Sequence, residues 1–235
     1  MAYYKTEAIL LRRHSLGEAD RILTLLSPDL GKIRAVAKGV RRGRSKLAGH
    51  LEPFVVSDVR MAKGRNLDVI TSAQGKQYFN PADGDLGKLA LAHLLLEICD
   101  KILPEDEPQP EVFDLLLECL SGLQNGLDPQ LVRHYFYVRL LQPMGHRPEL
   151  TTDHGTTAYY LLLQSGQLSV QPTDEASAKM SPDQLKLWRL IFSNPLSQVA
   201  RVVNAVDLAL EAQSTAERFY DYQFGVRFRS EQILA

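Results

Sequence analysis

The stretch RILTLLSPDLGKIRAVAK, residues 21–38, contains two short apolar segments with a turn between them. In SPDLG, residues 27–31, proline fixes one φ angle, aspartate caps its own backbone, and glycine permits a tight reversal. Short apolar segments on either side of such a turn are typical of antiparallel strands. The stretch therefore predicts two strands, over residues 21–27 and 32–38, joined as a hairpin.

The second of these strands alternates between two kinds of side chain. Its apolar side chains fall on one face, and they are Ile33, Ala35 and Ala37. Its other face holds Val36 and three cations, which are Lys32, Arg34 and Lys38. The alternation predicts that one face packs in a core and that the other is cationic.

Three more short alternating segments flank the hairpin, so that strands are predicted over residues 6–13, 21–27, 32–38, 54–62 and 67–74. A long connection separates the third strand from the fourth. Five strands in about 75 residues with this connection favour the small Greek-key barrel called the OB-fold, which binds oligonucleotides across its second and third strands and the adjacent loops.

The long connection, within VAKGVRRGRSKLAGHLEPF at residues 36–54, is strongly basic. Residues 1–80 hold fifteen Lys and Arg against seven Asp and Glu, whereas the remaining 155 residues hold twelve against twenty-one. Glycines between the cations let the backbone approach a phosphate chain closely. The predicted nucleic-acid contacts are Lys32, Arg34, Lys38, Arg41, Arg42, Arg44 and Lys46. Because few aromatic residues are available to stack on bases, the expected binding is led by phosphates and tolerant of sequence.

After Pro81 the apolar spacing becomes helical. Helices are predicted over residues 85–103, 111–123, 128–144, 181–192 and 196–222, with a small hairpin at 158–171. The predicted fold is α+β: an OB-fold domain at residues 1–80, then a helical domain at residues 81–235 with an irregular hairpin insertion at about 146–180.

Several classes of function lack their sequence signals. The three Gly-Lys pairs lack the spacing of a phosphate-binding loop, and the six histidines share no metal-ligand spacing. No nucleophile elbow or carboxylate pair stands out, so no enzyme activity or cofactor is expected. Neither a signal peptide nor a transmembrane stretch is found. The two cysteines are expected to lie in the core. A cytoplasmic, nucleoid-associated protein is expected.

Several segments in order resemble the RecO family of bacterial recombination mediators. They include EADR at 18–21, GKIR at 31–34, AKGVR at 37–41, the segment 47–54, LQPMGHRPEL at 141–150 and VRFRSEQIL at 226–234. The resemblance implies single- and double-stranded DNA binding, strand annealing without ATP hydrolysis, and partnership with RecR and single-stranded DNA-binding protein. An OB-fold RNA-binding factor of ribosome maturation or translation, or an adaptor for an acidic protein, is the alternative that the residues themselves leave open.

One segment departs from the family pattern. Many family members insert a four-cysteine zinc knuckle after the Gly-x-x-Pro segment, but this region contains no cysteine and only His154 near the expected position. No structural zinc is therefore predicted, and Tyr159, Leu161 and Leu163 are expected to hold the hairpin by packing.

The acidic, apolar-ended tail of a single-stranded DNA-binding protein needs cations beside an apolar groove. The candidates are Arg133, Arg139 and Arg201, although a salt bridge to a neighbouring carboxylate is the favoured interpretation of each one.

Overall fold

The structure of the protein, a computed structural model, describes residues 2–81, 84–151, 158–171 and 176–226. The chain divides into two compact units, with the boundary between Gln124 and Asn125. The first unit contains the predicted strands and the first two helices, and the second contains the remaining helices and a small sheet.

Five strands of the first unit form a closed barrel. The strands are β1 (Tyr3–Leu16), β2 (Asp20–Ser27), β3 (Gly31–Ala37), β4 (Val55–Ala62) and β5 (Asp68–Tyr78). Their order around the barrel is β1-β2-β3-β5-β4, with β4 paired to β1 and only β3 and β5 parallel. This order confirms the predicted OB-fold, although β1 and β5 are longer than the sequence pattern indicated.

The hairpin of the quoted stretch forms as predicted, in register from Arg21 opposite Ala37 to Ser27 opposite Gly31. Ser27 Oγ accepts a hydrogen bond from the Leu30 amide at 3.2 Å, which closes the turn. Gly31 has a φ of +70°, and a Cβ added there would lie 1.8 Å from the carbonyl oxygen of Glu107. The turn therefore requires glycine both for its backbone angle and for its close contact with the 105–108 connector.

Two helices complete the first unit: α1 (Leu86–Ile102) and α2 (Pro110–Gln124). The Asp85 carboxylate caps α1 by accepting from the amides of Gly87 and Lys88. Cys99 on α1 and Cys119 on α2 are buried free thiols, as expected of core residues. Burial raises the pKa of Cys99 to about 12 and that of Cys119 well above its ordinary value.

The second unit contains α3 (Pro129–Leu140), α4 (Pro182–Ser193), the short α5 (Leu196–Val199) and α6 (Ala205–Phe224). The prediction of one continuous last helix from residue 196 was wrong. Asn204 adopts a φ of +60°, in the left-handed region that asparagine tolerates, and it separates α5 from α6. Helix α3 packs against both α4 and α6.

The core of the second unit contains a buried imidazole. His134 on α3 is fully buried, and its Nε2 accepts a hydrogen bond from the indole Nε1 of Trp188 at 3.1 Å. The ring proton of the neutral side chain therefore lies on Nδ1. Desolvation lowers the pKa of His134 to about 4, so the ring is neutral at neutral pH.

The predicted hairpin is part of a three-stranded sheet. Its strands are β6 (Tyr159–Leu162), β7 (Leu168–Ser169) and β8 (Ser177–Met180), in the order β7-β6-β8. Tyr159, Leu161 and Leu163 are buried, as predicted, while the sequence pattern had not indicated β8. No helix in the described parts of the chain combines the length and apolar character that a membrane crossing requires.

Candidate nucleic-acid interface

The loop between β3 and β4, residues 38–54, is anchored to the barrel core at both ends. Val40 near its start and Leu51 near its end are buried at 4% and 3% exposure, and Leu47 and Ala48 are half-buried against the same core. The residues between these anchors are mostly exposed. We call residues 38–46 the basic loop, because they carry all five cations of the connection.

Main-chain hydrogen bonds fix the shape of the basic loop. Gly39 has a φ of +64°, and its amide donates to Asp20 Oδ1 at 2.7 Å. The amide of Arg41 donates to the carbonyl oxygen of Ala19 at 3.0 Å, which ties the loop to the β1–β2 turn. A further turn follows, in which the Ser45 amide donates to the Arg42 carbonyl oxygen at 2.9 Å. These bonds hold the backbone while the cationic side chains project from it.

The cations of this region have few partners. The side chains of Arg34, Lys38, Arg42, Arg44 and Lys46 are exposed, and none of them forms a hydrogen bond or ion pair with any residue that the structure describes. The guanidinium of Arg41 makes one long contact, from Nη1 to the carbonyl oxygen of Gly17 at 3.4 Å. Six other cations of the barrel are ion-paired: Lys5, Arg12, Arg13, Arg21, Lys63 and Lys76. Among the cations named in this paragraph, those without an anionic partner thus lie on the basic loop and on β3.

Lys32 differs from the other predicted contacts, and its placement on the free cationic face was wrong. Its side chain is buried at 9% exposure, and its Nζ donates to the carbonyl oxygen of Asp100 on α1 at 2.7 Å. Its own carbonyl oxygen accepts from the Asp106 amide at 2.9 Å. The α1 helix and the connector after it cover this end of β3, so Lys32 joins the barrel to α1 and is not available to a phosphate.

This difference gives a matched pair of substitutions on one strand. Lys32→Ala is expected to lower the free energy of unfolding by about 1 to 3 kcal/mol, because a charged hydrogen bond is lost and the Asp100 carbonyl is left unpaired. Arg34→Ala is expected to leave stability nearly unchanged and, if Arg34 contacts phosphate as the sequence predicts, to weaken nucleic-acid binding. Urea unfolding and fluorescence anisotropy with a labelled oligonucleotide measure the two effects. A loss of affinity without loss of stability in Lys32→Ala would contradict the structural role.

Two of the three candidate partner-binding arginines are engaged inside the second unit. Arg133 forms an ion pair with Glu217 of α6 at 2.5 Å, as its favoured interpretation held. Arg139 donates to the carbonyl oxygens of Ile191 and Phe192 at the end of α4. The side chain of Arg201 is exposed and forms no hydrogen bond or ion pair with the described residues. Of these three side chains, only that of Arg201 is exposed.

The sequence interpretation missed Arg60 on β4. This side chain is exposed on the outer wall of the barrel and has no side-chain partner among the residues that the structure describes. The alternation of β4 contains the signal, because Val59 and Met61 are buried and place Arg60 on the opposite face.

Within the described ranges, no group of three or more His, Cys, Asp or Glu side chains is arranged to hold a metal ion. His154 lies outside those ranges.

The closed barrel and its exposed cations define an OB-fold protein with a concentrated positive surface on one loop. Two family models match the chain: "Recombination protein O N terminal" over residues 1–79 and "Recombination protein O C terminal" over residues 83–232. The DNA repair protein RecO of Bifidobacterium longum (strain NCC 2705) is 41% identical, and the match covers 100% of this chain and 99% of that protein. The DNA repair protein RecO of Dehalococcoides mccartyi (strain CBDB1) is 35% identical, over 89% and 88%.

The chain therefore belongs to the RecO family, and its role lies in DNA repair and recombination. The resemblance noted from the sequence is confirmed.

Proposed function

We propose that this protein is a non-enzymatic recombination mediator that binds single- and double-stranded DNA through backbone phosphates and promotes the annealing of complementary strands. The observation that carries the proposal is the basic loop, where five exposed cations have no anionic partner in the described structure. Family membership in DNA repair points to DNA as the polyanion.

The chemistry of annealing follows from the charges. Two complementary strands repel each other through their phosphates, and cations that bind one strand reduce the repulsion felt by the second. The contacts assigned to phosphates are six of the seven that the sequence predicts: Arg34, Lys38, Arg41, Arg42, Arg44 and Lys46. Lys32 is left out because its side chain is buried. Such contacts do not read base edges, so a mediator of this kind works on any sequence.

Partner proteins complete the proposal. We assign residues 1–80 to nucleic-acid binding and residues 81–235 to a scaffold for RecR and for the tail of single-stranded DNA-binding protein, acting at the chromosome in the cytoplasm. Arg201 is the remaining arginine for that acidic tail, and Val203, two residues further along, is 80% exposed. A cation next to an exposed apolar side chain suits a peptide with acidic residues and an apolar end.

The central test is the salt dependence of binding. In Arg41→Ala/Arg42→Ala/Arg44→Ala, the log-log slope of affinity for a mixed-sequence single-stranded oligonucleotide should flatten by about two to three units, since each phosphate contact contributes roughly 0.7 to 0.9. Fluorescence anisotropy at several salt concentrations measures the slope, and an RNA of the same sequence tests which nucleic acid is preferred.

A second triple variant controls for total charge. Lys88→Ala/Lys179→Ala/Lys186→Ala removes three cations that lie outside the barrel and should leave the slope nearly unchanged. Equal slopes for wild type and the loop variant would place DNA elsewhere on the protein. Tighter binding to RNA than to DNA would favour the RNA-binding alternative.

A further inference from the structure

A second positive surface lies on the barrel wall next to the basic loop. A groove of about 590 Å³ runs between the end of the loop and the outer faces of β4 and β5. The polar side chains that line it include Lys5, Lys46, His50, Arg60, Ser72 and Gln74. Lys46, the last cation of the basic loop, thus belongs to both surfaces.

The strand register places like charges opposite each other in this groove. Lys5 of β1 pairs directly with Arg60 of β4, which in turn pairs with Ser72 of β5. Lys5 is neutralised by Asp58 at 2.8 Å, whereas Arg60 has no hydrogen bond or ion pair from its side chain to the described residues. Arg60 is therefore the cation of this facing pair whose charge an added anion would neutralise.

An imidazole is held at the edge of the same groove. His50 Nδ1 lies 3.2 Å from the amide nitrogen of Gly75, which donates to it, and 3.2 Å from the Tyr78 hydroxyl. Because Nδ1 accepts a backbone N–H, the ring proton of the neutral form is on Nε2. His50 therefore offers a hydrogen-bond donor in a fixed ring orientation.

The local sequence of β5 builds this support. The register of β5 against β4 shifts between Gly75 and Gln77, so Lys76 is an extra residue that bends the strand. A Cβ on residue 75 would meet the Tyr78 hydroxyl oxygen at 2.0 Å, so glycine is what allows Tyr78 and His50 to meet at this point.

We propose that this groove binds the sugar–phosphate backbone of single-stranded DNA where the strand leaves the basic loop. The proposal rests on the proposed function. Three lining cations face a single lining carboxylate, Asp58, and the neutral donors of His50, Ser72 and Gln74 suit phosphate oxygens. Arg60 and His50 are the contacts that this inference adds.

The test compares two exposed arginines that lack side-chain partners in the described structure. Arg60→Gln should weaken binding of a long mixed-sequence single-stranded oligonucleotide about fivefold at physiological salt and flatten its salt slope by about 0.7. Arg65→Gln, in the β4–β5 turn and outside the groove lining, should change neither quantity. Gln74→Glu, which adds an anion to the groove, should weaken binding at least as much as Arg60→Gln.

The outcomes separate this proposal from the function on which it rests. If Arg60→Gln and Arg65→Gln bind alike while the loop triple variant binds weakly, the groove is not a contact surface and the proposed function stands. If wild type itself shows no salt-dependent affinity for DNA, the proposed function fails. Circular dichroism of each variant verifies that the barrel is folded.

Discussion

Gly31→Ala is expected to lower the free energy of unfolding of the barrel by about 2 to 5 kcal/mol. A left-handed backbone costs a residue with a Cβ about 1 to 2 kcal/mol, and forced overpacking against a well-packed neighbour adds roughly 1 to 3 kcal/mol. The neighbour here is the main-chain carbonyl of Glu107, 1.8 Å from the added carbon, which a side-chain rotation does not relieve. Urea unfolding followed by circular dichroism measures the loss.

The chain supplies a matched control for this substitution. Gly17, in the β1–β2 turn, has a φ of +61°, but no atom lies within 4 Å of a Cβ added there. Gly17→Ala should therefore cost only the backbone part, about 1 to 2 kcal/mol. Equal losses in the two variants would mean that the hairpin turn does not approach the connector as closely as the structure describes.

The second large effect is a loss of stability in acid that originates at His134. Its pKa is about 4 in the folded protein against an ordinary value of 6.5, so the unfolded chain binds more protons between these values. The contribution of His134 to the free energy of unfolding is therefore fully present above about pH 6.5. It decreases as the pH is lowered, by about 3 kcal/mol between pH 7 and pH 4. Urea unfolding at several pH values measures it, and Trp188, the single tryptophan, reports on the second unit.

His134→Gln isolates this contribution from that of the carboxylates. The amide oxygen of glutamine can accept the Trp188 indole N–H, and it does not titrate over this range. The difference in unfolding free energy between wild type and variant should therefore shrink by about 3 kcal/mol as the pH falls from 7 to 4. Parallel pH profiles for the two proteins would show that His134 is not the group that destabilises the acid form.

The sequence predicts features that depend on neighbouring residues and fails where distant segments meet. The hairpin at 27–31 and the barrel strands follow from turn chemistry and alternation, which act over a few residues. Lys32 has the same alternation as Arg34, and only the approach of α1, some 68 residues later, buries it. Arg133 and Arg139 likewise look alike in the sequence until α6 and α4 supply their acceptors.

The division of the last helix at Asn204 illustrates a different limit. The apolar spacing continues through residues 196–222, so periodicity alone indicates one helix. Residues 200–204 interrupt it and end in the left-handed Asn204, and the tolerance of asparagine for that conformation is a weak signal beside the helical spacing around it.

The burial of both thiols has a practical value for experiments on the basic loop. Nucleophilic attack on a maleimide requires an accessible thiolate, and neither Cys99 nor Cys119 supplies one in the folded protein. Gly43 is exposed, and nothing lies within 4 Å of a Cβ added there. A Gly43→Cys variant of the otherwise native chain therefore accepts a single fluorophore at the loop, which makes the proposed encounter with DNA observable without changing the core.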